Sequence, residues 1–209
     1  IGLLRQARPA NNLMTDALEY CQDRMKVKRN VRLKVSFNAT SPAVCGLFRP
    51  VILLPQDLGP TLGSSHLRTV IMHELAHIKR GDLWINTIQV VLQIFYLYNP
   101  LLWLANAMIR RIREQAVDET VLVAMGPKAQ QYPETLVNVA RLAWQRPALS
   151  LRLIGVIESK NQLKERIKKM LERPAPKTAK LGIAGVLIII ALGVFLLPMA
   201  KAQDREAET

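Results

Sequence analysis

The chain has 209 residues, half of them apolar, with a formal net charge of +13 and a pI of about 10.2. This length allows one ordinary domain, or a smaller domain with membrane helices attached, and it excludes a peptide-sized scaffold. Basic residues crowd the ends of apolar stretches and aromatic residues are few, so we expect an anionic membrane surface rather than nucleic acid as the neighbour. Two cysteines do not form the disulfide framework of a small secreted domain.

The first part of the chain has both helix and strand patterns. Apolar positions recur at helical spacing over residues 11–25, which predicts an amphipathic helix. Residues 31–37 alternate between apolar and polar side chains, a period typical of a half-buried strand. Two short apolar runs, 43–48 and 51–55, are separated and closed by prolines, which cannot donate to a strand ladder. These two strands are expected at a sheet edge or just after a break.

A loop rich in Gly and Pro precedes the next helix, which Ser64 or Ser65 can cap and which runs through residue 77. The segment after it, residues 83–109, is apolar with five amide side chains scattered in it, and by length it could be a transmembrane helix. Asn99-Pro100 divides it, however, and a residue before proline is biased away from helical conformation. A hairpin of two shorter helices is an equally good interpretation at this point.

Helical patterns continue toward the end of the sequence. Three further helices are predicted, over residues 112–126, 134–144 and 161–171. Residues 173–180 are predicted to be a linker. Residues 181–200 form an uninterrupted apolar run with two lysines before it. This run is the clearest transmembrane helix in the sequence. Because basic residues favour the cytoplasmic side, the region before residue 181 is expected to face the cytoplasm.

His73 and His77 are the chemically most informative pair. Side chains four residues apart on a helix lie on one face, so both imidazoles can reach one ion. Glu74 follows the first histidine and lies where it can take a proton from a water molecule beside that ion. Zinc in such a site makes the water acidic and polarises the scissile carbonyl. We therefore predict a catalytic zinc site with Glu74 as the general base.

A catalytic zinc site needs a third protein ligand and one open position. His66 lies two turns before His73 on the same helix and is expected to be a surface or helix-start histidine. An acidic residue on a later helix is therefore expected, and the candidates are Glu114, Asp118, Glu119 and Glu134. Glu114 and Asp118 are four residues apart and therefore lie on one helix face. This spacing favours Glu114 as the ligand and Asp118 as a carboxylate that hydrogen-bonds a ligand histidine. Alternatively, both pair with nearby arginines on a solvated face; Asp82 is a weaker candidate for the supporting carboxylate.

The requirement for Glu114 bears on the topology of residues 83–109. If this segment crossed a bilayer once, Glu114 would lie about 30 Å from the two histidines and could not share their metal. In a hairpin, residues 83–98 rise about 24 Å and residues 101–114 return about 21 Å, at the helical rise of about 1.5 Å per residue. Glu114 then returns near the level of His77. We therefore predict a helical hairpin that packs in the protein or dips into the bilayer.

Three stretches of the sequence together resemble a known family. Residues 31–171, roughly, resemble the peptidase module of the BlaR/MecR type of bacterial membrane sensor. The predicted transmembrane helix that follows stands where that family has one. The first stretch runs from Ser41-Pro42 to Arg49-Pro50-Val51-Ile52-Leu53-Leu54-Pro55. The second is His73-Glu74-Leu75-Ala76-His77-Ile78-Lys79-Arg80-Gly81-Asp82. The third combines Tyr98-Asn99-Pro100 with Arg113-Glu114-Gln115-Ala116-Val117-Asp118.

The resemblance implies a gluzincin, in which two histidines and one glutamate bind zinc. Carried onto this sequence, the ligands are His73, His77 and Glu114, the base is Glu74 and the supporting carboxylate is Asp118. It also implies a module of the bacterial inner membrane that faces the cytoplasm. Such a module cleaves a protein, a transcriptional repressor or itself, after a signal reaches it through the membrane helices. The strand near residues 43–47 is expected beside the motif helix, where it would pair with an extended substrate.

Two other functions stay open. A membrane quality-control protease of the HtpX or Ste24 type shares H-E-x-x-H and a later E-x-x-x-D, although residues 41–55 favour the BlaR/MecR type. A non-catalytic membrane receptor or scaffold could keep a structural metal. The expected partners are a protein substrate and the lipid bilayer, with no direct contact to nucleic acid.

The predicted fold class is α+β and mainly helical: a gluzincin metallopeptidase domain with a small edge sheet, a helical hairpin and a C-terminal transmembrane helix. The predicted organisation is an N-terminal helix over residues 1–30 that follows an upstream membrane segment, the zinc metallopeptidase domain over 31–172, the linker over 173–180, the transmembrane helix over 181–200 and a short tail over 201–209.

Overall fold

Helices make up most of the structure, a computed structural model that describes residues 2–145 and 160–172. The helices are α1 (Gly2–Gln6), α2 (Asn12–Met25), α3 (Leu58–Arg80), α4 (Asp82–Phe95), α5 (Pro100–Met125), α6 (Tyr132–Gln145) and α7 (Lys160–Glu172), with a 3-10 helix over Gly126–Gln131; the strands are β1 (Arg8–Pro9), β2 (Arg32–Ser36), β3 (Ala43–Cys45) and β4 (Val51–Pro55). The predicted mainly helical α+β fold with a small sheet is confirmed. The predicted linker and transmembrane helix lie outside the described residues, and none of the described helices is both long and apolar enough to cross a membrane.

The four strands form one sheet in the order β1-β2-β4-β3. β2 and β4 run parallel, whereas β1 and β3 pair antiparallel with their neighbours. The sequence predicts that β3 and β4 lie at a sheet edge or just after a break. β3 is an edge strand, whereas β4 lies inside the sheet and begins directly after the break at Pro50. Ile52 and Leu54 of β4 are fully buried in the main core, and Leu53, which points to the other face, packs with Ala7 and Ala39. The sheet is therefore covered on both faces at β4.

The motif helix α3 is longer than the sequence predicts. It begins at Leu58 rather than at the serines, but Gly63 has φ 73° and ψ 169°, a conformation that breaks the helix before the motif. One side of the straight part after Gly63 is buried through Ile71, Leu75 and Ile78, which pack in the same core as α2, β2 and β4. This packing leaves the opposite side of α3, with the two histidines, facing α5.

Helices α4 and α5 form the predicted hairpin. The Asn99 side chain caps α5 by accepting a hydrogen bond of 3.0 Å from the Leu101 amide, and Pro100 is the first residue of that helix, where its missing donor is harmless. Between the helices, Gln89 donates to the Asn106 carbonyl at 3.1 Å, and both amides are buried. The hairpin thus reverses the chain and brings the second half of α5 back alongside α3.

Candidate metal centre

Three side chains from two helices form a cluster with metal-binding geometry. His73 and His77 lie one turn apart on α3 with ring centroids 5.0 Å apart. Glu114 comes from α5, and its Oε2 lies 3.7 Å from Nε2 of His73 while its Oε1 lies 3.9 Å from Nε2 of His77. One ligand atom from each residue can be chosen so that all three lie within 4.8 Å of one another. The Glu114 side chain is 27% exposed, so the cluster is open on one side.

The Nδ1 atom of His73 is held by Tyr132, the first residue of α6. The Tyr132 hydroxyl lies 2.8 Å from Nδ1 of His73 and donates its only proton to Oδ1 of Asp118 at 2.6 Å. It must therefore accept the proton on Nδ1 of the histidine. This assigns the tautomer of His73 with its proton on Nδ1, and the lone pair of Nε2 faces Glu114.

His77 is held in the same way by a different acid. Its Nδ1 lies 2.8 Å from Oδ2 of Asp82, the first residue of α4. A carboxylate can only accept, so Nδ1 of His77 carries the proton and Nε2 is the free nitrogen. Gly81 makes this contact possible, because its φ of 74° ends α3 and starts α4 one residue later, so that Asp82 lies beside the last turn of α3.

Asp118 reaches the histidine cluster less directly than the sequence predicts. Its Oδ1 is 3.9 Å from Nδ1 of His73, too far for a hydrogen bond, and the Tyr132 hydroxyl bridges the gap. The direct contact to a histidine that was expected of Asp118 is made instead by Asp82, the weaker of the two candidates. The reason is geometric: α6 packs against α3 and inserts the fully buried Tyr132 between α3 and α5.

Arg166 of α7 completes the buried polar network. Its Nε and Nη2 donate to the two carboxylate oxygens of Asp118 at 2.8 and 2.6 Å, and its Nη1 lies 3.6 Å from Oε2 of Glu114. Bidentate pairing of this kind fixes both planar groups. Arg166 and Asp118 are both buried, so the guanidinium compensates a negative charge that would otherwise be strongly unfavourable there. A helix that begins at residue 160 thus stabilises the carboxylates of α5.

Burial dominates the protonation of the groups around the cluster. It lowers the pKa of His73 well below its usual value, and the neighbouring His77 and Arg166 lower it further, so this imidazole is neutral. Burial also lowers the pKa of His77, but the Asp82 hydrogen bond and the nearby carboxylates outweigh it and the net direction is upward. Burial raises the pKa of the Glu74 carboxyl to about 7, with Glu114 acting in the same direction. A carboxyl with such a pKa can exchange its proton near neutral pH.

The donor set of the cluster fits a zinc ion. Two imidazole nitrogens and one carboxylate are a common ligand set of catalytic zinc, and bonds of about 2.0–2.1 Å in tetrahedral geometry separate the ligand atoms by about 3.4 Å. The two histidine nitrogens lie 3.7 and 3.9 Å from different oxygens of Glu114, and one ligand atom from each of the three residues lies within 4.8 Å of the others, so a bound ion would draw the ligand atoms closer together. Both free Nε2 atoms face the same point as the Glu114 carboxylate. The open side of the cluster leaves room for a fourth position.

The structure brings together some of the sequence candidates and leaves others apart. His73, His77 and Glu114 form the cluster, with Glu74 buried beside it. His66 hydrogen-bonds the Thr135 hydroxyl at 2.7 Å, and within the described residues neither Glu119 nor Glu134 belongs to the cluster.

Sequence reasoning missed Tyr132 and Arg166, which lie outside any recognisable motif. The only signal for Arg166 was its place in a helix whose other charged residues repeat along the exposed side.

Comparison with known proteins identifies the family of the chain. A sequence model of the BlaR1 peptidase M56 family matches residues 3–170 of the chain. The chain belongs to this family. The M56 match includes α3, α5 and α6 entirely and reaches Arg166 on α7, so every residue of the buried network lies within it. The expected resemblance to the BlaR/MecR type is thereby confirmed.

Individual relatives of this M56 domain are named for antibiotic resistance or for regulation. The methicillin resistance mecR1 protein of Staphylococcus aureus is 26% identical over 199 residues, which cover 92% of this chain and 34% of that protein. The regulatory protein BlaR1 of Bacillus licheniformis is 26% identical over 187 residues, covering 89% of this chain and 31% of the relative. The chain thus spans about a third of the length of the curated relatives it matches.

Proposed function

We propose that this chain contains the catalytic domain of a zinc-dependent endopeptidase, with His73, His77 and Glu114 as metal ligands and Glu74 as general base. One observation carries the proposal: the Nε2 atoms of both histidines face Glu114 while their Nδ1 atoms are engaged by Tyr132 and Asp82. An imidazole that donates through its other nitrogen is oriented and made more basic for a metal. The M56 family membership supports the same conclusion.

The chemistry follows from the residues around the cluster. A zinc ion bound there would make a water molecule acidic and polarise the carbonyl of the scissile peptide bond. Glu74 accepts the proton of the attacking water and passes it to the nitrogen of the leaving amine. Its burial keeps the carboxyl away from bulk solvent and raises its pKa, which favours acceptance of a proton. Asp118 serves as the supporting carboxylate that acts on His73 through the Tyr132 hydroxyl.

The substrate is proposed to bind as an extended strand on β3. This strand is the edge of the sheet, pairs only with β4 among the described elements, and is half-buried. β3 also packs against α3, and burial together with the Glu74 carboxylate raises the pKa of the Cys45 thiol on β3, which is consistent with Glu74 lying near this strand. A peptide that adds to this edge would use backbone hydrogen bonds for most of its affinity, and would lie across the metal cluster.

The biological setting is proposed to be regulated cleavage of a cytoplasmic protein at the bacterial inner membrane. The similarity to proteins named regulatory protein BlaR1 and methicillin resistance mecR1 protein supports a regulatory substrate, such as a transcriptional repressor, or cleavage of the chain itself. The apolar run over residues 181–200 supports attachment to the membrane with the preceding basic region on the cytoplasmic side.

Metal analysis combined with a cleavage assay tests the proposal. The full chain, Glu74→Gln and Glu114→Ala would be purified with zinc, and each would be incubated with a peptide library and analysed for products of that library and of the chain itself by mass spectrometry. Glu119→Gln, on α5 but outside the cluster, is the matched control. We expect one zinc per chain in the wild type, the control and Glu74→Gln, but cleavage only by the wild type and the control.

Each other outcome has a defined meaning. Full zinc occupancy in Glu114→Ala would exclude Glu114 as a ligand. Equal cleavage by Glu74→Gln would exclude Glu74 as the base. Stoichiometric zinc with no cleavage by any variant, including the wild type, would favour a structural metal in a non-catalytic membrane receptor.

A further inference from the structure

The helical hairpin exposes an unusually apolar surface. Residues 83–109 contain no Asp, Glu, Lys or Arg, and most of the large apolar side chains that are exposed in the described structure lie between Trp84 and Ile112. Near the tip, Ile94 is 70% exposed, Phe95 76% and Tyr98 93%. Exposed apolar side chains that are concentrated in one segment, rather than scattered singly, indicate contact with a partner or a membrane.

The polar groups of the hairpin are largely satisfied within it. Gln89 and Asn106 bond to each other between the helices, and the Trp103 indole donates to the Leu97 carbonyl at 3.0 Å. The Thr87 hydroxyl donates to the Leu83 carbonyl at 2.8 Å. Of the other amides on α4, Asn86 is exposed near the base of the hairpin and Gln93 is only partly exposed, while Nδ2 of the buried Asn106 has no hydrogen-bond partner among the described residues. This inward pairing is what a hydrocarbon environment requires, whereas water imposes no such condition.

The length of the hairpin defines how it could meet a bilayer. The 14 residues of α4 rise about 21 Å, less than the hydrocarbon thickness of about 30 Å. The chain then turns at Asn99 and returns in α5, so both ends of the hairpin stay on the same side. A re-entrant hairpin therefore fits, in which the tip reaches the bilayer interior without crossing it.

Positive charge surrounds the base of the hairpin. Arg110 and Arg111 are exposed where the apolar part of α5 ends, with Arg111 paired to Glu165. At the base of α4, the Trp84 ring packs edge-on against Phe48 with centroids 5.4 Å apart.

Phe48 in turn borders a cavity of about 510 Å³ that is lined by three exposed arginines, Arg29, Arg32 and Arg49. Within the described residues, none of these three forms an ion pair. A ring of cations next to an apolar insertion surface is complementary to anionic lipid headgroups.

We propose that the hairpin enters the lipid bilayer from one side, with the arginines at its base among anionic headgroups, and holds the metal cluster at the membrane surface. The cluster is fixed to both legs of the hairpin: Asp82, the first residue of α4, holds His77, and Glu114 lies one turn beyond Arg110. Cleavage would then take place close to the lipid surface. The insertion itself does not depend on peptidase activity.

Depth-dependent quenching of tryptophan fluorescence tests the insertion. The full chain would be reconstituted in vesicles as two single-tryptophan variants, one keeping only Trp103 and the other carrying Leu13→Trp with the three native tryptophans changed to Phe. Leu13, on α2, is 63% exposed and is a matched surface position outside the hairpin. We expect lipids brominated on their acyl chains to quench Trp103, whereas acrylamide, which is dissolved in the water, should not. The tryptophan of Leu13→Trp should be quenched by acrylamide and not by the brominated lipids.

Two results would overturn the proposal. Quenching of Trp103 by acrylamide and not by brominated lipid would place the hairpin in water. Protection of Trp103 from both quenchers would mean that protein, such as a second copy of the chain, covers it. The same measurements on Glu74→Gln should match the wild type, so a failure of the proposed peptidase function would leave this test intact.

Charges at the tip provide an independent test. Ile94→Asp with Phe95→Asp should reduce insertion by about 100-fold or more for each aspartate at the bilayer centre, so that brominated lipid no longer quenches Trp103. Leu171→Asp, at a site 73% exposed on α7, is the matched control and should leave the quenching unchanged. Circular dichroism would show that the helical content is retained. Unchanged quenching of Trp103 in the tip variant would contradict insertion.

The headgroup assignment is tested with vesicles of phosphatidylcholine and phosphatidylglycerol. At equal mole fraction, brominated phosphatidylglycerol should quench Trp84 at the hairpin base more strongly than brominated phosphatidylcholine. Replacement of Arg29, Arg32 and Arg49 by Gln should remove the difference. Equal quenching by the two lipids in the wild type would exclude anionic headgroups as the ligand of this basic surface.

Discussion

The Tyr132 hydroxyl lies 2.8 Å from Nδ1 of His73, although the two residues are 59 positions apart in the chain. It donates to Asp118, so it accepts the imidazole proton and selects the nitrogen that faces Glu114. The site thus has one histidine held by a tyrosine and one held by a carboxylate. The two supports come from two different elements that both follow the motif in sequence, Asp82 from α4 and Tyr132 from α6.

Tyr132→Phe should weaken zinc binding by about 10- to 100-fold, because His73 loses the acceptor that fixes its tautomer. The measurement is competition with a fluorescent zinc chelator. Tyr20→Phe, at an exposed position on α2, is the control and should bind zinc like the wild type. Unchanged affinity in Tyr132→Phe would mean that the hydroxyl does not support a ligand.

Arg166→Gln should destabilise the protein by about 3 kcal/mol, because it leaves the buried Asp118 carboxylate without its bidentate partner. Urea unfolding measures the change. Arg111→Gln breaks an exposed pair with Glu165 and should cost no more than about 1 kcal/mol.

Removal of both buried charges, in Asp118→Leu with Arg166→Met, should recover most of the stability lost in Arg166→Gln, since no unpaired charge then remains at position 118. A double variant as unstable as the single one would show that the loss comes from packing rather than from the unpaired carboxylate.

Gly81→Ala should lower the free energy of unfolding by about 1–2 kcal/mol, since φ at this position is 74° and a β-carbon disfavours the left-handed region. The space around the position is open, so the cost would be in the backbone alone. Gly81→Asn, which tolerates this conformation better, should cost less. Equal stabilities of the wild type and Gly81→Ala in denaturant unfolding would contradict the backbone explanation.

The two cysteines should differ in their alkylation as the pH rises. Burial raises the pKa of Cys21 to about 12, and burial together with the Glu74 carboxylate raises that of Cys45. A higher pKa leaves less thiolate at a given pH, so both should react with iodoacetamide more slowly than free cysteine at pH 8. Above this pH the half-buried Cys45 should react first, whereas the fully buried Cys21 should react only on unfolding.

Glu74→Gln provides the matched control for this assignment, since it removes a negative charge near Cys45 and should accelerate alkylation of that thiol. Mass spectrometry of the tryptic peptides gives both rates. Faster labelling of Cys21 than of Cys45 in the folded protein would contradict the assignment.

Local patterns were sufficient to predict much of the fold. Three of these patterns depend only on neighbouring residues: the helical spacing of His73 and His77, the alternation in β2 and the interruption at Asn99-Pro100. The helix, the strand and the break that they predict are all present. The requirement that Glu114 reach the histidines added one long-range constraint, which correctly favoured the hairpin.

Tyr132 and Arg166 could not be predicted in this way. Their roles depend on how α6 and α7 pack against α3 and α5, and that packing has no signature in spacing or composition. The tyrosine has the appearance of an ordinary helix-start residue, and the arginine lies in a strongly basic helix. For the same reason the sequence favoured Asp118 over Asp82 as the direct partner of a histidine, because it gave no sign that a tyrosine side chain would lie between α3 and α5.

The distribution of the site along the chain has a consequence for biosynthesis. His73, Glu74, His77 and Asp82 lie within ten consecutive residues and can adopt their arrangement as soon as α3 forms. Asp118 forms its bidentate ion pair with Arg166, which lies 48 residues later. A nascent chain therefore carries the motif helix well before the buried partner of Asp118 on α7 has been synthesised.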